Sequence, residues 1–292
     1  MKCCAFGTVR MDIHAYQEID NLDEHEEIKI NKMNMAIGGS VYNTVSVLND
    51  LKQDIVFYML NSVDDFADFI KIKMNKRNIN YITCKQDKND TATSLIFVDM
   101  QGKKKMISYD GVRQDKYILS KLMKDIEQYE LFYTSFYEIN QDNYHDIINI
   151  MSLCKINFVD LSPLIYKVDD YVINDILQQV QILSGTEEEY DILLGKTNCD
   201  SFEDLVAKNN ISYLFVKKGS RGAMVITQKN MYEYAPSEKK NSHDTTGCGD
   251  TFNAGIIDSL TKKVNDEWML QEAVEIATKV AYEGFKEGMF SN

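Results

Sequence analysis

Short apolar or alternating runs punctuate the chain at 3–9 (CCAFGTV), 54–60 (DIVFYML), 130–136 (ELFYTSF), 156–162 (INFVDLS), 181–185 (QILSG) and 213–219 (YLFVKKG). Most are separated by amphipathic stretches of helical period, such as 40–52, 65–78 and 169–180. This alternation constrains the fold more than any other feature of the sequence. Strands joined through helices lie parallel, and a strand that is apolar throughout needs cover on both faces. A mostly parallel sheet between two helical layers is the expectation. Three runs break the rhythm, at 27–33 (EIKINKM), 93–100 (TSLIFVDM) and 103–111 (KKKMISYDG), the last two joined by Gln101-Gly102. With no helix between them they predict a small antiparallel flap beside the main sheet. From Gly247 onward the pattern is that of two helices. With 292 residues, two prolines and no Pro/Ser-rich linker, the chain reads as one domain over 1–292.

Charge narrows the partners. There are 32 basic and 45 acidic residues, a net charge of −13, so the long-range field repels nucleic acid and anionic membranes. A phosphate-bearing ligand must be held by local groups. The six cysteines form no C-x-x-C pair and no regular spacing, which speaks against zinc and disulfides and for a cytoplasmic, reducing location. No signal peptide and no run of about eighteen apolar residues is present, so no membrane span is expected.

Several motifs fail on spacing. Gly195-Lys196-Thr197 imitates the end of a phosphate loop, but the position that would need its first glycine is Tyr190. Four scattered histidines offer no metal-ligand pairing. The stretch 243–255, HDTTGCGDTFNAG, survives this filter. A glycine turn feeding a helix presents unpaired backbone N–H groups to an anion, and the helix dipole adds to the attraction. Asp250, in the first helical turn, is placed to take a proton from a hydroxyl attacking a phosphoryl group held there. The same residues also suit a plain helix cap.

DTTGCGDTFNAG resembles the second signature of the PfkB carbohydrate kinase family, which has a ribokinase-like α/β/α sandwich fold. GTVRMDIH (7–14), AIGGSVYNTVSVL (36–48) and VKKGSRGAMV (216–225) resemble further family segments in the required order. The resemblance implies ATP-dependent phosphorylation of a primary hydroxyl on a sugar or sugar-like molecule, with a β lid from about 13–35 and 91–111. It makes Asp250 the catalytic base and the amides of Gly247, Cys248 and Gly249 the anion hole. Asp12 and Asn43, with the Gly38-Gly39 backbone, would bind acceptor hydroxyls, while Lys217, Gly219 and Gly222 would lie against ATP. Glu189 would act through water on Mg²⁺. Asp244 and Thr246 match the positions that hold a monovalent cation such as K⁺ in many members.

The chain departs from the family pattern at three places. Thr186 stands where the family has Asn, Lys217 where it has Thr, and 281–292 (AYEGFKEGMFSN) lacks the usual small residues. Lys217 suits either an approach to ATP phosphates or solvent. Arg113, on the lid side, is compatible with an acidic acceptor. A nucleoside kinase is the alternative enzyme, with Tyr16, Tyr42 and Tyr109 for stacking, and a non-catalytic sugar or nucleotide binder is the alternative outside enzymes. A homodimer through the lid is a further expectation.

Overall fold

The computed structural model describes residues 1–16, 30, 32–83, 90–98, 104–112, 115–236 and 245–291. In chain order the elements are β1 (Cys3–Thr8), β2 (Arg10–Tyr16), β3 (Lys32–Gly38), α1 (Ser40–Asp50), β4 (Ile55–Leu60), α2 (Asp65–Lys76), β5 (Tyr81–Thr83), β6 (Ala92–Val98) and β7 (Lys104–Tyr109). They continue with α3 (Lys116–Asp125), β8 (Leu131–Ser135), α4 (Tyr144–Leu153), β9 (Ile156–Asp160), α5 (Asp170–Leu177), β10 (Ile182–Thr186) and α6 (Glu187–Lys196). The last are α7 (Phe202–Asn209), β11 (Tyr213–Lys217), β12 (Ala223–Ile226), β13 (Met231–Tyr234), α8 (Cys248–Lys262) and α9 (Asp266–Glu283).

Among the described residues the main sheet has nine strands in the order β13-β12-β11-β10-β9-β8-β1-β4-β5. It is parallel from β11 to β5, and β12 and β13 close one edge antiparallel. The strands read as continuous apolar runs because alternate residues enter opposite layers. Cys4 and Phe6 join the core shared with α3, α4 and α5, while Cys3 and Ala5 join the one packed under α1, α8 and α9. In β4, Val56, Tyr58 and Leu60 enter the first of these cores, and Ile55, Phe57 and Met59 enter the second. Burial of one such large side chain is worth about 1.5–3 kcal/mol. None of the described helices is long and apolar enough to cross a membrane.

The smaller sheet has the order β3-β2-β6-β7 and realises the expected flap. Its outer pairs, β2 with β3 and β6 with β7, are antiparallel, but the central pair β2 with β6 is parallel. β6 enters after the chain has passed through α1, β4 and α2, so it arrives in the direction of β2. The Gln101-Gly102 turn and residues 27–29 lie outside the described residues. Asp12, which local statistics could place in a turn after the first strand, sits inside β2, because β2 gains hydrogen-bonded neighbours on both sides.

All parallel strands of the main sheet point their C-terminal ends to one edge, which gathers Thr8, Ser135, Asp160, Thr186 and Lys217. The N-termini of α1 and α8 meet there.

Candidate active site

Gly247 caps α8 at φ 79° and ψ −4°, a left-handed conformation open to glycine, and a β-carbon there would lie 2.8 Å from Phe285 Cδ2. In that turn the Cys248 N–H, one of the three amides expected to form the anion hole, donates to the Thr245 carbonyl at 3.2 Å, closing the turn that starts α8. Gly249 has ordinary helical backbone, and a β-carbon on it would meet Lys217 Nζ at 3.5 Å. Asp250 follows directly. Its Oδ1 accepts from Ser40 Oγ at 2.6 Å, its Oδ2 accepts from Asn43 Nδ2 at 2.7 Å, and its backbone carbonyl accepts from Thr44 Oγ1 at 3.1 Å. Ser40, Asn43 and Thr44 lie at helical spacings of three and four, on one face of the first turns of α1. A buried network stands behind them. The Tyr133 hydroxyl lies 3.1 Å from Thr44 Oγ1 and 3.2 Å from Asn253 Nδ2, and Ser184 Oγ donates to Asn253 Oδ1 at 2.7 Å.

The glycine pair before α1 explains how that helix reaches this place. Gly39 has φ 114°, and a β-carbon on it would lie 2.5 Å from the Thr8 carbonyl oxygen. On Gly38 a β-carbon would fall 1.9 Å from Asp12 Oδ2, so the bare backbone is what lets the Asp12 carboxylate lie against it. Asp12, Gly38, Gly39, Asn43 and Asp250 thus converge from β2, β3, α1 and α8.

Burial pushes the Asp250 carboxyl up to about 6. The hydrogen bonds from Ser40 and Asn43 pull it down, Asp160 raises it and Lys217 lowers it. Such a group is largely ionised at neutral pH and still basic enough to take a proton in a transition state.

Lys217 ends β11, and its Nζ donates to Asp160 Oδ1 at 2.7 Å, with the two side chains 13% and 8% exposed. The solvent orientation is therefore not the one adopted. Burial works against the ammonium, but Asp160 and Glu189 more than offset it, and Lys217 is held above its ordinary range. Asp160 escaped the sequence analysis, although a carboxylate ending an otherwise apolar strand was the signal to follow. Ser40 lay within the segment that carries the resemblance.

Glu189 forms a capping box with Thr186. Its Oε2 accepts from the Thr186 N–H at 2.9 Å, and Thr186 Oγ1 accepts from the Glu189 N–H at 3.2 Å. The substitution at Thr186 thus has a local structural use. Burial raises the Glu189 carboxyl, with Lys217 opposing and Asp160 reinforcing the shift. Glu189 Oε1 accepts no hydrogen bond from a described residue. Among the described residues no group of three or more His, Cys, Asp or Glu converges on a metal position.

Gly219 and Gly222 shape the tight loop between β11 and β12, at φ 58° and 89°. A β-carbon on Gly222 would lie 2.0 Å from the Tyr234 carbonyl oxygen. Thr246 is an exposed turn residue just before Gly247. Arg113 and Asp244 lie outside the described residues.

A base in the first turn of a helix opened by a glycine cap, with a largely withdrawn cation beside it, can serve phosphoryl transfer, and comparison with known proteins agrees. The chain is 31% identical over 106 residues to the fructokinase of Escherichia coli, a match covering 35% of this chain and 34% of that protein. It is 23% identical over 250 residues to the fructosamine kinase FrlD of Bacillus subtilis, covering 83% of this chain and 82% of the relative. The nucleoside kinase of Methanocaldococcus jannaschii, an archaeal member of the ribokinase family, superposes with a TM-score of 0.80 at 16% identity, covering 96% and 92% of the two chains. The pfkB family carbohydrate kinase model matches residues 1–283, and with that match the chain belongs to the pfkB family of carbohydrate kinases.

Proposed function

We propose that residues 1–292 work as one kinase unit transferring the γ-phosphoryl group of ATP to a primary hydroxyl of a sugar or sugar-like acceptor. The observation that carries this reading is Asp250, held by Ser40 and Asn43 one residue beyond the Gly247-Cys248-Gly249 turn. In this reading Asp250 takes the acceptor proton, and the turn amides bind the developing phosphoryl charge. Lys217, fixed by Asp160, adds a positive charge beside them. ATP lies along Gly219, Gly222 and the start of α8. The acceptor lies under the small sheet against Asp12, the Gly38-Gly39 backbone and Asn43. Closure of that sheet as a lid would exclude water as a competing acceptor.

The donor set suits Mg²⁺ carried by the nucleotide phosphates. Glu189, whose Oε1 accepts from no described residue, would hold it through water, and the ion would neutralise charge on the transferring group. Thr246 and Asp244 are the residues that would hold K⁺. A cytoplasmic location accords with Cys3, Cys4, Cys154 and Cys199, all of which are free thiols.

ADP release measured across neutral sugars, sugar acids, sugar phosphates, amino-sugar adducts and nucleosides tests this proposal. A panel in which no acceptor raises ADP production would return the chain to a binding role. Asp12→Ala is expected to raise the acceptor KM at least tenfold, since a charge-assisted hydrogen bond contributes about 1.5–3 kcal/mol, while the KM for ATP stays put. Equal loss of both would make Asp12 structural.

The nucleoside reading gains little from the tyrosines. Tyr42 is fully buried and donates to Glu287 Oε1 at 2.7 Å. Tyr109 pairs in register with Thr93, on the opposite sheet face from Asp12, and of the three Tyr16 alone shares the Asp12 face.

That opposite face supports a homodimer through the lid. Ile13, Met35, Leu95 and Ile107 form one row across all four strands, with Met35, Leu95 and Ile107 exposed. An apolar row of this kind favours a covering partner. Sedimentation velocity should show a dimer that the double variant Leu95→Lys, Ile107→Lys converts to monomer. A wild-type protein that sediments as a monomer at all concentrations would end the dimer proposal.

A further inference from the structure

Arg10 opens β2, in register with Gly38 on one side and Ala92 on the other. Two residues before Asp12, it projects from the same sheet face, at the root of the lid where this sheet joins the strand edge. The side chain is half-buried. Its Nη1 donates to Ser94 Oγ at 3.3 Å, and Ser94, opposite Asp12 in register, is 1% exposed. Among the described residues no carboxylate lies within ion-pair distance of this guanidinium. The contrast with the other withdrawn cations is informative, because Lys217 holds Asp160 at 2.7 Å and Arg77 holds Asp50 at 2.7 Å. Even Asp12, on the same strand face, has its carboxylate over Gly38 rather than on Arg10.

A guanidinium carries five N–H donors in a planar fork, and one hydroxyl answers a single one of them. Withdrawing a charge from water is costly, and with no counter-charge among the described residues the position suits an anion brought by a ligand. Carboxylate and phosphate match the fork with two parallel hydrogen bonds. The position also says which ligand brings the anion. The phosphates of ATP are assigned to the α8 turn and Lys217, whereas Arg10 is on the strand of Asp12, on the acceptor side.

Resting on the kinase reading above, we propose that Arg10 selects an acceptor bearing an anionic group, a carboxylate or a phosphate, which docks at the root of the lid while the distal primary hydroxyl faces Asp250. The reaction at that hydroxyl is unchanged. The acceptor oxygen bonds to the γ-phosphorus, the bond from that phosphorus to the bridging oxygen of ATP breaks, and the hydroxyl proton passes to Asp250.

The test uses acceptors in matched pairs: a neutral hexose with its sugar acid, a ketose with its monophosphate, and a neutral amino-sugar adduct with an amino-acid adduct. Steady-state ADP release is followed for wild type, Arg10→Gln and Arg10→Lys, each checked for an unchanged melting temperature. In at least one pair the acidic member should exceed its neutral partner in kcat/KM by tenfold or more. The pair showing the preference identifies carboxylate or phosphate. Arg10→Gln should erase that preference through KM, with the KM for ATP unmoved, and Arg10→Lys should restore part of it. Neutral acceptors turned over as well as their acidic partners would overturn the proposal and leave the kinase reading standing. So would an Arg10→Gln variant that slows every acceptor alike through kcat, since that would place Arg10 on the phosphoryl group. A panel in which nothing is phosphorylated removes the kinase reading itself, and this inference with it.

Discussion

Asp250→Asn should lower kcat by roughly 10²–10⁴, the range for losing a positioned proton acceptor, while the protein folds and binds ATP as before. The pH dependence supplies a second signature. Burial raises the Asp250 carboxyl to about 6 from an ordinary 3.8, so wild-type kcat/KM should climb through about pH 6 to a plateau, and the variant should lack that limb. The same shift governs stability. A carboxyl whose folded value lies above its unfolded value stabilises the fold below about 3.8, and that contribution is lost as pH rises through about 6. At pH 8 the wild type therefore carries a buried charge that the amide does not. Calorimetry at pH 8 should find Asp250→Asn melting at or above the wild-type temperature, with the advantage shrinking toward pH 5. Wild-type turnover in the variant would reduce Asp250 to a helix-capping residue.

Gly249→Ala should fold normally and lose at least a hundredfold in rate, and Gly247→Ala should do the reverse. The backbone separates them. At Gly249 the conformation is helical and alanine is the better helix former by about 1 kcal/mol, so the melting temperature should hold or rise. The new methyl enters the space between the amide turn and Lys217 Nζ, 3.5 Å from the ammonium, where a phosphoryl oxygen would have to sit. Loss of one such donor site costs about 10²–10³ in rate. At Gly247, φ is 79° and the added carbon would press to 2.8 Å from the Phe285 ring. That variant should lose about 1 kcal/mol or more of stability, with milder loss of rate in the molecules that fold. Thermal melts paired with steady-state rates on both variants decide the matter. Early melting in both, with normal turnover of the folded fraction, would confine the glycines to shaping the turn.

The two predictions draw on different sources. Gly247, Cys248, Gly249 and Asp250 are consecutive, so their joint placement at a helix start was legible from the sequence. The alternation of apolar runs and helical stretches likewise determined the parallel sheet, because side-chain periodicity states which faces must be buried. Gly38 and Gly39 could be singled out for the same local reason, since a missing β-carbon is a backbone property. What the sequence could not state is which distant polar group each side chain meets. Ser40 and Asn43 reach Asp250 across 210 and 207 residues, and Lys217 finds Asp160 across 57. Those pairings follow from strand order, which places the ends of β9 and β11 on one edge and lays α1 beside α8. The parallel pairing of β2 with β6 was equally hidden, because it depends on the path through α1, β4 and α2 and not on any local pattern. The raised carboxyl of Asp250 and the guanidinium of Arg10, which meets no carboxylate among the described residues, belong to the same class. Desolvation and the lack of a counter-charge are properties of assembled surroundings, and the tertiary structure alone decides them.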